Sequence, residues 1–213
     1  RSEDQIFKPY REKALLEKLV GRNTGPMPED HLLAVYREIL SSSRRLQRPQ
    51  RVVYLGPEGT HTYFAAVEFL GTSAKFEAKP ILEDVFKSVA SRTAELGVIP
   101  MENSLHGTVT QSLDLFMQYE LYIQSEIYCR ISHALMGMTK DLASIKRVYS
   151  HPQALGQCAR WIRTNIPHAG IVPAESTAAA AHRVLEEPDA AAIGNRRLAN
   201  MIGLEVLADS IED

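Results

Sequence analysis

Hydrophobic residues recur at helical spacing in two segments near the start of the chain, residues 11–20 and 28–47. Glycine and proline interrupt the pattern between them. The apolar positions are Leu15, Leu16, Leu19 and Val20 in the first segment and Leu32, Leu33, Tyr36, Ile39, Leu40 and Leu46 in the second. The pattern predicts two amphipathic helices followed by a linker at 48–50. Two such helices make a poor core alone, so we expect another helix, another chain or the following domain to cover them.

After residue 51 the pattern changes to short β-rich runs, most of which precede a plausible helix start. These runs are RVVYL (51–55), FEAKP (76–80), ELGVIP (95–100), RVYS (147–150), AGIVP (169–173), AAAIG (190–194) and GLEVLA (203–208). Alternation of strands and helices is typical of α/β proteins with parallel sheets and crossover helices. The sequence therefore predicts an α/β fold.

Residues 121–138 contain no turn signal and are interpreted as an extended crossing between two lobes. We place residues 1–50 in a helical module and residues 51–213 in an α/β domain. Within that domain, the first lobe is predicted to comprise about 51–128 and 204–213, and the second about 129–203. A cleft is expected between the lobes.

Composition excludes several classes of function. The chain has 24 basic and 26 acidic residues and a net charge of -2, with no basic stripe, so nucleic acid and membrane partners are not expected. No signal peptide or membrane-spanning run is visible, and the two cysteines, Cys129 and Cys158, have no metal-like spacing. We expect a cytoplasmic protein whose cysteines pack as small apolar groups.

Four strand-to-helix junctions carry glycine or small polar side chains: GPEGT (56–60), PMENSLHGTVTQSLDLF (100–116), YSHPQALGQC (149–158) and AESTAAAAHRVL (174–185). Helix N-termini and strand ends of α/β sheets favour bound anions. Each junction alone is also explained by turns and N-caps, such as Ser150 as a cap. Together they predict a cleft that binds a small polyanion through neutral donors.

Other chemistries find little support in the motifs. Neither a phosphate loop nor a dinucleotide fingerprint is present. Adjacent residues on a turn rarely point at each other, so Ser150 and His151 are not favoured as a nucleophile and base. The histidines have no ligand spacing on a shared helix face, so no metal is expected.

The four junction motifs, in this order and spacing, resemble the prephenate dehydratase family over about 51–213. The resemblance implies a two-lobed fold like that of periplasmic binding proteins (type 2), with the active site between the lobes. Ahead of it, FKPYREKALLEKLVGRNTG and REILSSSRRLQ look like the second and third helices of an all-helical chorismate mutase, a usual fusion partner. The resemblance further implies that both ends are truncated and that a phenylalanine-sensing ACT domain lies outside this chain.

The implied reaction converts prephenate to phenylpyruvate in phenylalanine biosynthesis and needs no cofactor. The residues assigned to catalysis are Asn103, Ser104, Thr108, Ser150 and Gln157, and those assigned to substrate binding are Gly59, Thr60, Glu102, His151, Gln153, Ser176 and Thr177. In the family, the leading general acid is the threonine of a Thr-Arg-Phe motif just beyond a segment that Ile211–Glu212–Asp213 matches. We therefore expect little dehydratase activity from this exact polypeptide. His61 and Thr62 stand where many relatives have phenylalanine and serine.

For the mutase module, the resemblance implies a chorismate site that uses Arg11, Glu12, Ser43 and Gln47. Lys8 replaces a common acidic residue, so Arg11 and Glu12 fit a solvated helix face equally well. The mutase fold implies a homodimer. The alternative for the whole chain is a two-lobed module that binds or senses a small carboxylate without turning it over.

Overall fold

The computed structural model describes residues 7–103 and 107–213, which contain nine α-helices and ten β-strands. The helices are α1 (Pro9–Val20), α2 (Glu29–Gln47), α3 (His61–Leu70), α4 (Leu82–Ala90), α5 (Thr110–Gln118), α6 (Pro152–Gln157), α7 (Ala159–Asn165), α8 (Thr177–Val184) and α9 (Arg196–Ile202). The strands are β1 (Arg51–Leu55), β2 (Lys75–Lys79), β3 (Leu96–Val98), β4 (Glu102–Asn103), β5 (Gly107–Thr108), β6 (Ala134–Gly137), β7 (Arg147–Ser150), β8 (Gly170–Pro173), β9 (Ala190–Gly194) and β10 (Glu205–Ala208). None of the helices among the described residues has both the length and the apolar run that crossing a bilayer requires.

The chain divides into two compact units. The first comprises residues 1–55 and 64–128, and the second comprises residues 56–63 and 129–213. Helix α3 therefore begins in the second unit and belongs to the first from Phe64 onward.

The first unit is built on a parallel sheet in the order β2-β1-β3. Val52, Val53 and Tyr54 are consecutive on β1 and all buried, so both faces of this strand are covered. A two-stranded antiparallel hairpin, β4 and β5, follows the sheet and leads into α5. The phenylalanine side chains of Phe86 and Phe116 pack edge to face at 5.0 Å and join α4 to α5.

Helices α1 and α2 belong to this first unit. Phe7, just ahead of α1, is buried in one cluster with Val52 and Leu70. None of the residues of α1 is buried, and the buried residues of α2 are the polar Ser41 and Arg44. The α/β part of the first unit therefore covers part of the helical module, mainly through polar contacts.

Those contacts join α2 to the segment that follows α3. The Glu38 carboxylate accepts hydrogen bonds from the backbone N–H of Thr72 at 3.1 Å and from its hydroxyl at 2.7 Å. The Ser41 hydroxyl accepts from the Ser73 N–H at 3.1 Å. Gly71 has φ +77°, and a Cβ there would lie 2.5 Å from the Ser41 Cβ, so only glycine fits this approach.

The second unit is a five-stranded sheet in the order β10-β6-β9-β7-β8. Strands β8, β7 and β9 are parallel, whereas β6 and β10 run antiparallel to their neighbours. Every residue of β9 is buried, which matches its apolar sequence and its central position. The core packs β6, β7 and β9 against α6 and α7 through Leu135, Val148, Ile162 and Ile193.

Both predicted amphipathic helices and all seven predicted strands are present, and the α/β fold class is confirmed. The expectation of parallel sheets is wrong for β6 and β10. The β4–β5 hairpin and β6 were not predicted as strands. Two assignments to the first lobe are also wrong: residues 204–213 lie in the second unit because β10 pairs with β6, and residues 56–63 lie there because they pack on α9.

Candidate functional site

The carboxyl ends of β7, β8 and β9 meet at one edge of the second-unit sheet because these strands are parallel. This edge, defined by Ser150, Pro173 and Gly194, is called the carboxyl edge below. Helices α6, α8 and α9 begin close to it along the chain. Edges of this kind are where open α/β sheets bind ligands.

Ser150 ends β7 at the carboxyl edge and is fully buried. Its hydroxyl donates to the backbone carbonyl oxygen of Ile193 on β9 at 2.6 Å. The prediction that Ser150 caps the next helix is wrong, because the cap of α6 is His151, whose Nδ1 accepts from the Gln153 N–H at 3.3 Å. The Ser150 hydroxyl proton is therefore used in a hydrogen bond between β7 and β9, and only the hydroxyl oxygen can still accept a hydrogen bond.

Ser176 and Thr177 begin α8. The Ser176 hydroxyl caps the helix by accepting from the Ala179 N–H at 3.0 Å. Thr177 lies beside Gly194, where an added Cβ would sit 3.3 Å from the Thr177 Cβ. The two residues therefore lie at the carboxyl edge, and both side chains are half-buried.

The glycine loop 56–63 packs on the second unit. Gly59 has φ +85° and is so close to α9 that an added Cβ would lie 2.6 Å from the Leu198 Cδ1. The Thr60 hydroxyl accepts from the Tyr63 N–H at 3.4 Å, as an N-cap does. Burial, with a hydrogen bond to Glu58, raises the pKa of Tyr63.

His61, the next residue of this loop, reaches the start of α9. Its Nδ1 lies 3.4 Å from the side-chain nitrogen of Asn195, the residue that caps α9. Its ring meets that of His133 edge to face at 5.8 Å. Burial, and secondarily His133, lowers the pKa of His61 to about 4, so the ring is uncharged at neutral pH.

Gln157, which ends α6, contacts His133. The His133 Nε2 lies 2.6 Å from the Gln157 Oε1, and His133 is only 3% exposed. His133 directly precedes β6, whose first residue pairs with Gly194, so it lies at the carboxyl edge as well. Gln153 lies one turn earlier on α6 and is half-buried.

The segment Ile211–Asp213 is bonded to both of these residues. The Ile211 N–H donates to the His133 carbonyl oxygen at 2.9 Å, and the Asp213 N–H donates to the Gln157 carbonyl oxygen at 2.7 Å. The Glu212 carboxylate accepts from the His133 N–H at 2.8 Å. Burial would raise the pKa of Glu212, but backbone N–H donors, the Ser132 hydroxyl and His133 outweigh it and lower that pKa.

The predicted residues of the first unit lie on the β4–β5 hairpin. Glu102 pairs with Thr108, and Asn103 pairs with Gly107. Asn103 is half-buried, whereas Glu102 and Thr108 are exposed. Ser104 lies outside the described residues.

The predicted chorismate residues lie on α1 and α2 of the first unit. Arg11, Ser43 and Gln47 are exposed. Glu12 is half-buried and forms an ion pair with Arg44 at 2.5 Å. Three of the four side chains are therefore exposed, whereas Glu12 is half-buried and paired with Arg44.

Sequence reasoning missed His133, Asn195 and Glu212. Asn195 had a signal, because it stands between a strand and a helix as the other junction residues do. For His133, the sequence offers only the observation that a polar residue directly precedes an apolar run. The structure brings Gly59, Thr60, Ser150, Gln157 and Thr177 into one unit.

No group of three or more histidine, cysteine or carboxylate side chains that could hold a metal ion occurs in residues 7–103 and 107–213. Neither cysteine is in a disulfide: Cys158 is buried, but Cys129 is exposed, so the expectation that both are packed is wrong for Cys129.

Comparisons with known proteins support the resemblance. A bifunctional chorismate mutase/prephenate dehydratase of Stutzerimonas stutzeri is 38% identical over 100% of this chain and 59% of its own length. One of Aquifex aeolicus is 36% identical over 98% of this chain and 59% of its length. The chain thus spans 59% of each relative.

Among solved structures, a prephenate dehydratase of Arthrobacter aurescens in complex with L-Phe superposes with a TM-score of 0.71 at 34% identity, covering 76% of this chain and 56% of that one. The sequence profile named chorismate mutase type II matches residues 1–48. The profile named prephenate dehydratase matches residues 52–213, well over half of the sequence. The chain belongs to the prephenate dehydratase family.

Proposed function

We propose that the full-length protein containing this chain converts prephenate to phenylpyruvate. The observation that carries the proposal is the set of neutral polar side chains at the carboxyl edge: Thr177 lies beside the end of β9, and the Gln157 amide lies against His133, which precedes β6 at the same edge. Neutral hydroxyls and amides suit a dianion whose ring carboxylate must give up its electron pair to the ring and leave as neutral carbon dioxide. Fixed cations would instead stabilise the carboxylate in the ground state.

The reaction needs proton delivery rather than a redox cofactor. The bond from the ring to its carboxylate breaks, the electron pair enters the ring, and the ring hydroxyl leaves as water after it accepts a proton. Aromatisation drives the step. The resemblance makes the threonine of the Thr-Arg-Phe motif, which in the family follows the segment equivalent to Ile211–Asp213, the leading candidate for the proton donor.

Within the proposed site, Gln157 orients the dianion and Thr177 offers a further hydroxyl group. Ser150, predicted as a catalytic residue, is fully buried with its proton bonded to the Ile193 carbonyl oxygen, so it supports the site by joining β7 to β9. Gly59, Thr60, His151, Gln153 and Ser176 are proposed to line the binding region. The roles of Glu102, Asn103, Ser104 and Thr108 in catalysis and substrate binding are proposed on the resemblance alone.

The test is phenylpyruvate formation by the full-length protein, with prephenate binding measured by titration calorimetry. Replacing Gln157→Met keeps the side-chain length but removes the amide, and should lower kcat/KM about 100- to 1000-fold. The matched control Gln118→Met changes an exposed residue at the end of α5 and should leave kcat/KM unchanged. Tight prephenate binding without any product would favour the alternative, a sensing module.

A second activity, conversion of chorismate to prephenate, is proposed for the complete helical module. The match of residues 1–48 to the type II mutases supports it. We propose Arg11, Glu12, Ser43 and Gln47 for its site. Loss of chorismate absorbance in the full-length protein tests this activity independently of phenylpyruvate formation.

We further propose a homodimer in the cytoplasm. Apolar side chains of α1 and α2 remain exposed, among them Leu46 at 86%, and a second copy would cover them. The exposed thiol of Cys129 suits a reducing compartment. Light scattering on the full-length protein should give twice the chain mass, and a monomer at micromolar concentration would contradict the dimer.

A further inference from the structure

The short contact between His133 and Gln157 restricts what the glutamine amide can do. The 2.6 Å separation between His133 Nε2 and Gln157 Oε1 is short for an N–H···O hydrogen bond. With the carbonyl end occupied by a ring N–H, the NH2 end of Gln157 is left as the group that can donate elsewhere.

The surroundings of His133 place its ring proton on Nε2. The other ring nitrogen, Nδ1, is buried without a hydrogen-bond partner among the described residues. A proton on Nδ1 would therefore have no acceptor, whereas a proton on Nε2 has the Gln157 oxygen. One tautomer is selected by geometry.

One segment, Ile211–Asp213, holds the backbones of both His133 and Gln157. The N–H and C=O of His133 are bonded to Glu212 and Ile211, and the C=O of Gln157 is bonded to Asp213. The ring of His61 packs against that of His133 from the glycine loop. The pair therefore has little freedom to separate or rotate, which is the property of a preorganised donor.

We propose that His133 is a positioning residue for Gln157: its Nε2–H fixes the amide carbonyl so that the NH2 group is presented to an anionic oxygen of the cyclohexadienyl substrate. The inference rests on the proposed function. It assigns His133 a role in which it touches no substrate atom. Losing it should lower kcat more than it raises KM, because orientation matters most where charge develops.

A matched pair of variants tests the contact in the full-length protein. His133→Gln places an amide nitrogen near the position of Nε2, whereas His133→Asn is too short to reach Gln157. We expect His133→Asn to lower kcat/KM about 10- to 100-fold, which is at or below the loss of one oriented donor. The kcat/KM of His133→Gln should stay within about fivefold of the wild-type value, which is the effect of one ordinary hydrogen bond.

Because His133 is buried, thermal unfolding must show that both variants fold. If His133→Asn does not, His133→Phe replaces it, since phenylalanine retains the ring volume and the contact with His61. The decisive readout is a double-mutant cycle with Gln157→Met. If His133 acts through Gln157, adding a His133 variant without a donor to Gln157→Met should cost no further activity.

Two results overturn the inference, and they are distinguishable. If the donor-less His133 variants keep wild-type turnover, or if their losses add fully to that of Gln157→Met, His133 does not position Gln157, while the proposed function stands. If the wild-type full-length protein forms no phenylpyruvate, the proposed function fails and this inference fails with it.

Discussion

The guanidinium of Arg44 and the carboxylate of Glu12 form an ion pair that joins α2 to α1 at 2.5 Å. Arg44 also donates to the backbone carbonyl oxygen of Leu70, at the end of α3, and its guanidinium lies over the Phe7 ring. One buried cation thus links both helices of the mutase-like module to the dehydratase-like part of the first unit. Glu12 must share or leave Arg44 if it is to hold chorismate.

Replacing Arg44→Met should destabilise the docking of α1 and α2. The change leaves the half-buried Glu12 carboxylate unpaired and the Leu70 carbonyl without its donor, at a cost of about 3 kcal/mol. Hydrogen exchange at the amides of Thr72 and Ser73, which donate to α2, measures the local effect. Faster exchange at these two amides is expected.

The matched control is Arg45→Met, because Arg45 is the next residue of α2 and is exposed. It should change the free energy of unfolding by less than about 0.5 kcal/mol. Adding Glu12→Gln to Arg44→Met should recover part of the loss, since no buried charge then lacks a partner. Equal exchange in Arg44→Met and Arg45→Met would contradict the bridging role of Arg44.

Gly71→Ala should loosen the same docking by a different cause. A Cβ at Gly71 would meet the Ser41 Cβ at 2.5 Å, in addition to the strain of φ +77°. Gly203→Ala supplies the control, because Gly203 has φ +79° with nothing within 4 Å of an added Cβ. The control should cost about 1–2 kcal/mol from strain alone.

The clash at Gly71 should add about 1–3 kcal/mol to that strain, as overpacking does. Urea unfolding of the two variants measures the difference. If both alanines cost the same, the close approach of α2 to Gly71 has no energetic weight, and the docking depends on other contacts.

Periodicity predicted the main elements because each of them has a strong local signal. The seven β-rich runs became strands, and the α/β class followed from their alternation with helices. The hydrophobic pattern of a strand does not show which strand it pairs with, nor whether the pairing is parallel or antiparallel. The sequence of β10 does not reveal that it pairs with β6, so residues 204–213 were assigned to the wrong lobe.

The site was predictable at its junctions and not in its supporting contacts. Ser176 and Thr177 lie beside a strand end as expected, because capping chemistry is local. The bond from His133 to Gln157 spans 24 residues, and the bond from the His133 N–H to Glu212 spans 79. Such long-range pairs depend on the order of strands in the sheet, which the hydrophobic pattern leaves open.

His61 should make the protein sensitive to acid. Its pKa is about 4 when folded, because the ring is buried and His133 lies beside it, and about 6.5 when unfolded. The unfolded state therefore binds the proton more readily, so stability falls as the pH is lowered from about 6.5 to 4 and the effect levels off below that. The expected loss is up to about 3 kcal/mol.

Replacing His61→Phe, the residue type that the resemblance places there in many relatives, should remove this contribution. The variant also removes the buried Nε2, which has no hydrogen-bond partner among the described residues. The measurement is the free energy of unfolding in urea at pH 7 and pH 4 for both proteins. The same fall with pH in the variant would show that His61 is not responsible.

The two thiols should differ sharply in reactivity. Burial, together with the carboxylates of Glu212 and Asp213, raises the pKa of Cys158 to about 12, whereas Cys129 is exposed. The thiolate is the reactive form, so a disulfide reagent at pH 8 should label one thiol quickly in the folded protein and two in urea. Cys129→Ser should abolish the fast phase and leave the second thiol silent until the protein unfolds. Rapid labelling of the folded Cys129→Ser protein would contradict the burial of Cys158.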